Sequence, residues 1–101
     1  MMTHYQSIKP WLVQYIQQQR MQDESFDVLL RLLQTATKDE DLVGLCCEKL
    51  RCYIERKTSI VNHLKNIGAR ATLMTIADSY ERNDRVMGNI CRILSLMFPL
   101  Q

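Results

Sequence analysis

The sequence predicts an all-α protein that forms a single helical domain over residues 1–101. A chain of 101 residues has enough interior for one hydrophobic core and no more. It contains only 3 glycines and 2 prolines, which disfavours a turn-rich β fold. Apolar residues recur at helical spacing almost from end to end, and this periodicity predicts about six helices.

The first two helices are predicted from an apolar face and from the residues that precede it. Helix one covers about residues 8–21, with Pro10 in its first turn, where the missing N–H of proline costs nothing. Helix two starts at the acidic residues Asp23 and Glu24, which are favourable near a helix N-terminus, and ends near Thr35.

The third helix is predicted to start after Thr37 and to run to about Glu55. Thr37 and Glu40 have the spacing of a capping box, in which each side chain accepts a hydrogen bond from the other residue's backbone N–H. An apolar stripe at positions i, i+4, i+7 and i+11 follows, as expected for one helix face. The stripe consists of Val43, Cys47, Leu50 and Ile54.

Three further helices are predicted in the second half of the chain. A short fourth helix from Ile60 ends at Gly68, because glycine adopts the left-handed conformation of a helix stop without a steric penalty. A fifth helix follows as far as Tyr80. The sixth starts at the capping residue Asn83 and ends before Pro99.

A shift of 43 residues aligns the two halves of the chain without a gap. It superposes the apolar positions of the second and third helices on those of the fifth and sixth, and the loops between them have the same length. We therefore interpret the chain as a tandem duplication whose halves pack on each other. The aligned pairs are Leu30/Leu73, Leu33/Ile76, Asp41/Asp84, Val43/Val86, Cys47/Ile90, Leu50/Ile93 and Ile54/Met97.

The junction between the fourth and fifth helices resembles that of the armadillo family. In residues 64–73 (LKNIGARATL) a short helix ends at Gly68, a Gly-Ala pair turns the chain, and Leu73 opens the packed face of the next helix. A period of about 40 to 47 residues is typical of armadillo and HEAT repeats. The resemblance implies a fragment of a right-handed α-solenoid, with residues 59–98 as one armadillo-like repeat and residues 8–57 as a divergent first repeat.

The resemblance also implies which surface meets a partner. The long third helix of each repeat, about residues 40–54 and 84–97, is expected to line one side of the molecule, which we call the long-helix wall. The residues expected to contact a partner on this wall are Glu48, Arg51, Tyr53 and Arg92.

Charge is divided along the chain although the net charge is only +2. Residues 23–48 are mostly acidic, whereas residues 49–70 are mostly basic. The basic segment is interpreted as a solvated face or as a surface for an acidic protein partner, and its residues Lys57, Lys65 and Arg70 are predicted contacts. A helical nucleic-acid-associated protein is an alternative function, but the small net charge and the scarcity of aromatic residues for base stacking disfavour it. The basic residues are Lys49, Arg51, Arg56, Lys57, Lys65 and Arg70.

The sixth helix carries apolar residues outside its main stripe. In a solenoid each repeat buries one face on the next, and three or more repeats are normally needed for stability. We therefore expect this C-terminal end to self-associate or to stack on further repeats. The predicted assembly end consists of Leu94, Leu96, Met97 and Phe98.

No set of residues has the spacing of a catalytic or metal site. The adjacent residues Cys46 and Cys47 point about 100° apart on a helix, and the paired C-x2-C spacing of zinc sites is absent. We therefore predict a non-catalytic protein–protein interaction or scaffold module that needs no cofactor and no metal. A compact six-helix domain of the death-fold type, which also builds assemblies, is the alternative architecture.

The chain offers no predicted membrane span and no secretory signal. No stretch of about 20 residues is apolar throughout. The first apolar cluster, residues 11–16, is interrupted by Gln14 and followed by three glutamines, which a signal sequence does not tolerate. We therefore expect a cytoplasmic or nuclear protein whose cysteines are reduced.

Overall fold

The computed structural model describes residues 4–18, 23–35 and 37–99, and this part of the chain is all helical, without a strand. The predicted all-α fold with about six helices is therefore confirmed. A single 3-10 turn, Thr58–Ile60, precedes the fourth helix. The helices are α1 (His4–Gln18), α2 (Asp23–Thr35), α3 (Glu40–Arg56), α4 (Val61–Asn66), α5 (Ala69–Ser79) and α6 (Asp84–Met97).

Helix α1 begins four residues earlier than predicted. Pro10 consequently lies inside the helix rather than in its first turn. Proline has no N–H to donate to the carbonyl one turn earlier, so this helix lacks one backbone hydrogen bond there. Pro10 itself is exposed. Residues 19–21 of the predicted helix lie outside the described residues.

Helix α3 is capped by Asp39, so the predicted capping box of Thr37 and Glu40 is wrong. The Asp39 carboxylate accepts a hydrogen bond from the backbone N–H of Leu42 at 3.1 Å. Thr37 lies in the turn before this cap, too far ahead of the first helical turn to satisfy its N–H groups. The predicted cap of α6 is confirmed, because Asn83 accepts the equivalent bond at 3.0 Å.

The two halves of the chain pack through corresponding helices. The most extensive contact joins α3 to α6, and α2 packs on α5 as well as on α3. Side-chain bonds between the halves link residues 36 to 43 positions apart. The pairs Glu48–Arg85 and Arg51–Asn89 advance together along both helices, so α3 runs parallel to α6. The bonded pairs are Asp27–His63, Gln34–Thr72, Thr37–Tyr80, Glu40–Asn83, Glu48–Arg85 and Arg51–Asn89.

One hydrophobic core extends through both halves. Every apolar pair aligned by the 43-residue shift is buried, with no member more than 4% exposed. The predicted apolar faces of α2, α3, α5 and α6 are thus confirmed. The radius of gyration is 13.2 Å, close to the roughly 13 Å of a compact 100-residue domain.

The remaining helices attach differently in the two halves. α1 packs chiefly on α3, whereas the short α4 packs on α5 and α6. Lys9 of α1 reaches the start of α3, where its ammonium group lies 3.0 Å from the carboxylate of Asp39. This hydrogen bond raises the pKa of Lys9. None of the helices in the described ranges is both long enough and apolar enough to traverse a lipid bilayer.

Gly68 forms the turn between α4 and α5, as predicted. Among the described residues it alone has a positive φ, 80°, and its ψ is 26°. In this left-handed conformation a Cβ atom crowds the neighbouring carbonyl oxygen, so other residues adopt it at a cost. A single left-handed residue, Gly68, therefore separates α4 from α5.

We expect Gly68→Ala to lower the free energy of unfolding by about 1–2 kcal/mol, the cost of a Cβ in the left-handed region. Gly88→Ala is the matched control, because Gly88 lies on an exposed part of α6 where an added Cβ meets no neighbouring atom. Alanine there should stabilise the helix by about 0.5–1 kcal/mol. Urea-induced unfolding measures both variants, and shifts of the same sign would contradict the assigned conformation of Gly68.

Candidate interaction surface

The polar groups of the long-helix wall bond mainly to one another. Arg85 donates to the Glu48 carboxylate at 2.6 Å, and Arg51 donates to the side-chain oxygen of Asn89 at 2.6 Å. Arg51 also pairs with Glu55 at 2.5 Å. These bonds lower the pKa of Glu48 and raise that of Arg51. The predicted contact residues Glu48 and Arg51 thus connect α3 to α6.

Tyr53 and Arg92, the other predicted contacts on this wall, differ in exposure. Tyr53 is only 4% exposed and belongs to the core, and this burial raises its pKa. Helix α1 packs on α3, with Tyr15 near enough to contribute to that shift. Tyr53 therefore offers no surface to a partner, which corrects its prediction as a contact. Arg92 is exposed on α6.

The basic segment is divided by the fold. Lys49, Arg51 and Arg56 lie on α3, and the exposed Lys57 follows its last turn. The remaining two basic residues lie on α4 and at the start of α5, beyond the turn that ends α3. The basic residues therefore lie on three helices, α3, α4 and α5, and on the turn that follows α3.

Lys65 and Arg70 converge on the aromatic ring of Phe98, which follows α6. The Lys65 ammonium lies 4.7 Å from the ring centroid, and the Arg70 guanidinium carbon lies 5.4 Å from it. Both distances are in the range of cation–π contacts. Neither cation forms an ion pair with a carboxylate of residues 4–18, 23–35 or 37–99. Two like charges are thus held against one exposed ring.

An open groove of about 570 Å³ lies between α5 and α6 beside this ring. Its apolar side chains are unusually exposed, with Met74 46% and Phe98 40% accessible to solvent. We call the groove together with Lys65 the C-terminal end surface. The groove is lined by Arg70, Met74, Cys91, Leu94, Ser95 and Phe98.

The predicted assembly end lies only partly on this surface. Leu94 and Phe98 line the groove. Leu96, two residues from Leu94 and therefore about 200° around the helix, is half-buried elsewhere. Met97 is 1% exposed, because it continues the core stripe one turn beyond Ile93. Met97 is thus a core residue, which corrects its assignment to the assembly end.

The cysteines follow the same division between core and surface. Cys46 and Cys47 are buried, and this burial raises the pKa of each thiol to about 12. They are therefore packing residues with little thiolate at neutral pH. Cys91 is exposed in the C-terminal end surface and Cys52 is half-buried. In the described ranges no cluster of histidine, cysteine or carboxylate side chains is arranged to hold a metal ion.

The C-terminal end surface combines exposed apolar side chains with two cations that have no anionic partner in the described chain. This combination suits a ligand that is apolar and negatively charged. No protein-family model, no curated protein and no solved structure matches this chain.

Proposed function

We propose that this chain is a non-catalytic protein–protein interaction module built from two armadillo-like repeats. The observation that carries the proposal is the packing of corresponding helices, α2 on α5 and α3 on α6, which leaves the outward face of α5 and α6 open. In a stack of tandem repeats each unit covers one face of the preceding unit. The second unit covers the first, and we propose that a partner covers the second.

The partner is proposed to dock on the C-terminal end surface rather than mainly on the long-helix wall. On the wall, Glu48 and Arg51 already bond to residues of this chain. A partner would have to replace those bonds, which leaves little net gain. On the C-terminal end surface, by contrast, Met74 and Phe98 expose apolar area whose burial is favourable.

The proposal is tested by proximity labelling in cells that express the chain fused to a biotin ligase. We expect Phe98→Asp to reduce labelling of the partner at least tenfold, because a carboxylate in the groove prevents apolar contact. Val28→Asp is the matched control, since Val28 is 37% exposed on α2 and the charge change is the same. Labelling that is equally strong in Phe98→Asp and wild type, or that is lost only in Val28→Asp, would contradict the proposed docking site.

A further inference from the structure

The internal repeat shows what shape fits the C-terminal end surface. On α3, the side that faces α6 includes Glu48 and Arg51, which bond to residues of α6. The 43-residue shift places these two positions on Cys91 and Leu94 of α6, and both line the open groove. The groove therefore lies on the face of α6 that corresponds to the face of α3 on which α6 packs. A helix parallel to α6 is the shape that fits there.

The chemistry of the two equivalent positions differs. Where α3 presents a carboxylate and a guanidinium, α6 presents the thiol of Cys91 and the side chain of Leu94. Phe98, four residues beyond Leu94, extends this apolar strip to seven residue steps from Cys91, or about 10 Å along the helix axis. A helix with polar side chains at the positions of Arg85 and Asn89, which bond to α3, would leave those side chains unbonded here. The occupant therefore needs an apolar stripe of about two turns.

The charge of the surface indicates which side chains flank the apolar stripe of the bound helix. Lys65 and Arg70 both lie against Phe98 at one end of the strip. A carboxylate brought to this end would be attracted to both cations, and their mutual repulsion would decrease. Two copies of this chain meeting symmetrically through the same surface would instead bring four cations together. Charge thus favours an acidic partner over a symmetric dimer.

From these observations we infer that the C-terminal end surface binds an acidic amphipathic helix of a partner protein. Its apolar stripe lies along Cys91, Leu94 and Phe98, and its carboxylates lie beside Lys65 and Arg70. The inference rests on the proposed function, because it names the partner of the same surface.

Two synthetic 16-residue helical peptides test the inference. Both carry the same leucine stripe and blocked termini, but one has glutamate and the other lysine at the flanking positions. Fluorescence anisotropy measures their binding to the full chain. We expect the glutamate peptide to bind at least tenfold more tightly than the lysine peptide, with an affinity that falls as salt is added.

Charge reversal at the two cations assigns the preference to this surface. In the double variant Lys65→Glu/Arg70→Glu the lysine peptide should become the tighter ligand. Lys38→Glu/Arg82→Glu is the matched control, because both residues are exposed in loops outside the groove and the charge change is equal. The control should keep the wild-type preference. An unchanged preference in the first variant, or a reversed one in the control, overturns the inference.

Other outcomes separate this inference from the proposed function. If cellular labelling depends on Phe98 but the protein does not prefer the glutamate peptide, the docking site stands and the acidic helix is wrong. A dimer in sedimentation velocity that is lost in Phe98→Asp and not displaced by the glutamate peptide makes a second copy the occupant. If a single-stranded oligonucleotide binds more tightly than the glutamate peptide, the occupant of the surface is nucleic acid. Either of these results overturns the inference.

Discussion

Replacement of Ile93 by alanine is expected to lower the free energy of unfolding by about 2–5 kcal/mol. Ile93 is fully buried in the stripe of α6 that faces the core. Its truncation leaves a cavity in the one core shared by both halves, so neither half retains its packing. Small domains are stable by only about 5–15 kcal/mol. A loss of about 5 kcal/mol from Ile93→Ala would therefore leave much of a marginally stable protein unfolded. Urea-induced unfolding followed by circular dichroism measures the loss.

Leu94→Ala is the control for this substitution. Leu94 is the next residue on the same helix but is half-buried in the groove. Its truncation removes fewer contacts from the core, so we expect a loss of about 1 kcal/mol, typical of a partly exposed position. Equal losses at Ile93 and Leu94 would mean that the core face of α6 is not the one described.

The helices and their buried faces could be predicted from the sequence because the signal is local. A helix that packs on one side repeats its apolar residues every three to four positions, and the stripe directly reports the buried face. Leu50 and Ile93 illustrate this, since the 43-residue shift pairs them and both are fully buried. The turn at Gly68 could also be predicted, because a residue in the left-handed conformation is usually glycine.

Predictions that depended on a second helix or on competing local bonds were less successful. Thr37 and Asp39 are both suitable N-cap residues, and only the backbone conformation decides that Asp39 caps α3. Thr37 makes a different contact: its backbone carbonyl accepts a hydrogen bond from the hydroxyl of Tyr80, in the other half of the chain. A bond between residues so far apart leaves no periodic signal in the sequence.

The candidate site shows the same limit. Lys65 and Arg70 were part of a predicted basic segment, and Phe98 was part of a predicted apolar assembly end. The sequence alone did not connect the two, because about 30 residues separate them. The packing of α4 and α5 on α6 brings the cations to the ring. The apolar character of the site was therefore predictable, whereas its combination with positive charge was not.

Replacement of Tyr53 by alanine distinguishes its observed position from its predicted role as a surface contact. We expect a loss of about 3–5 kcal/mol in the free energy of unfolding, the usual cost of truncating a buried aromatic side chain. Tyr53 is 4% exposed, and its ring belongs to the shared core. Arg92→Ala is the control, because Arg92 was predicted for the same wall but is exposed, so its loss should stay within about 0.5 kcal/mol. Thermal and urea unfolding measure both variants. A Tyr53→Ala protein as stable as Arg92→Ala would place the ring on the surface and restore the contact role, since only an exposed side chain is removed at so little cost.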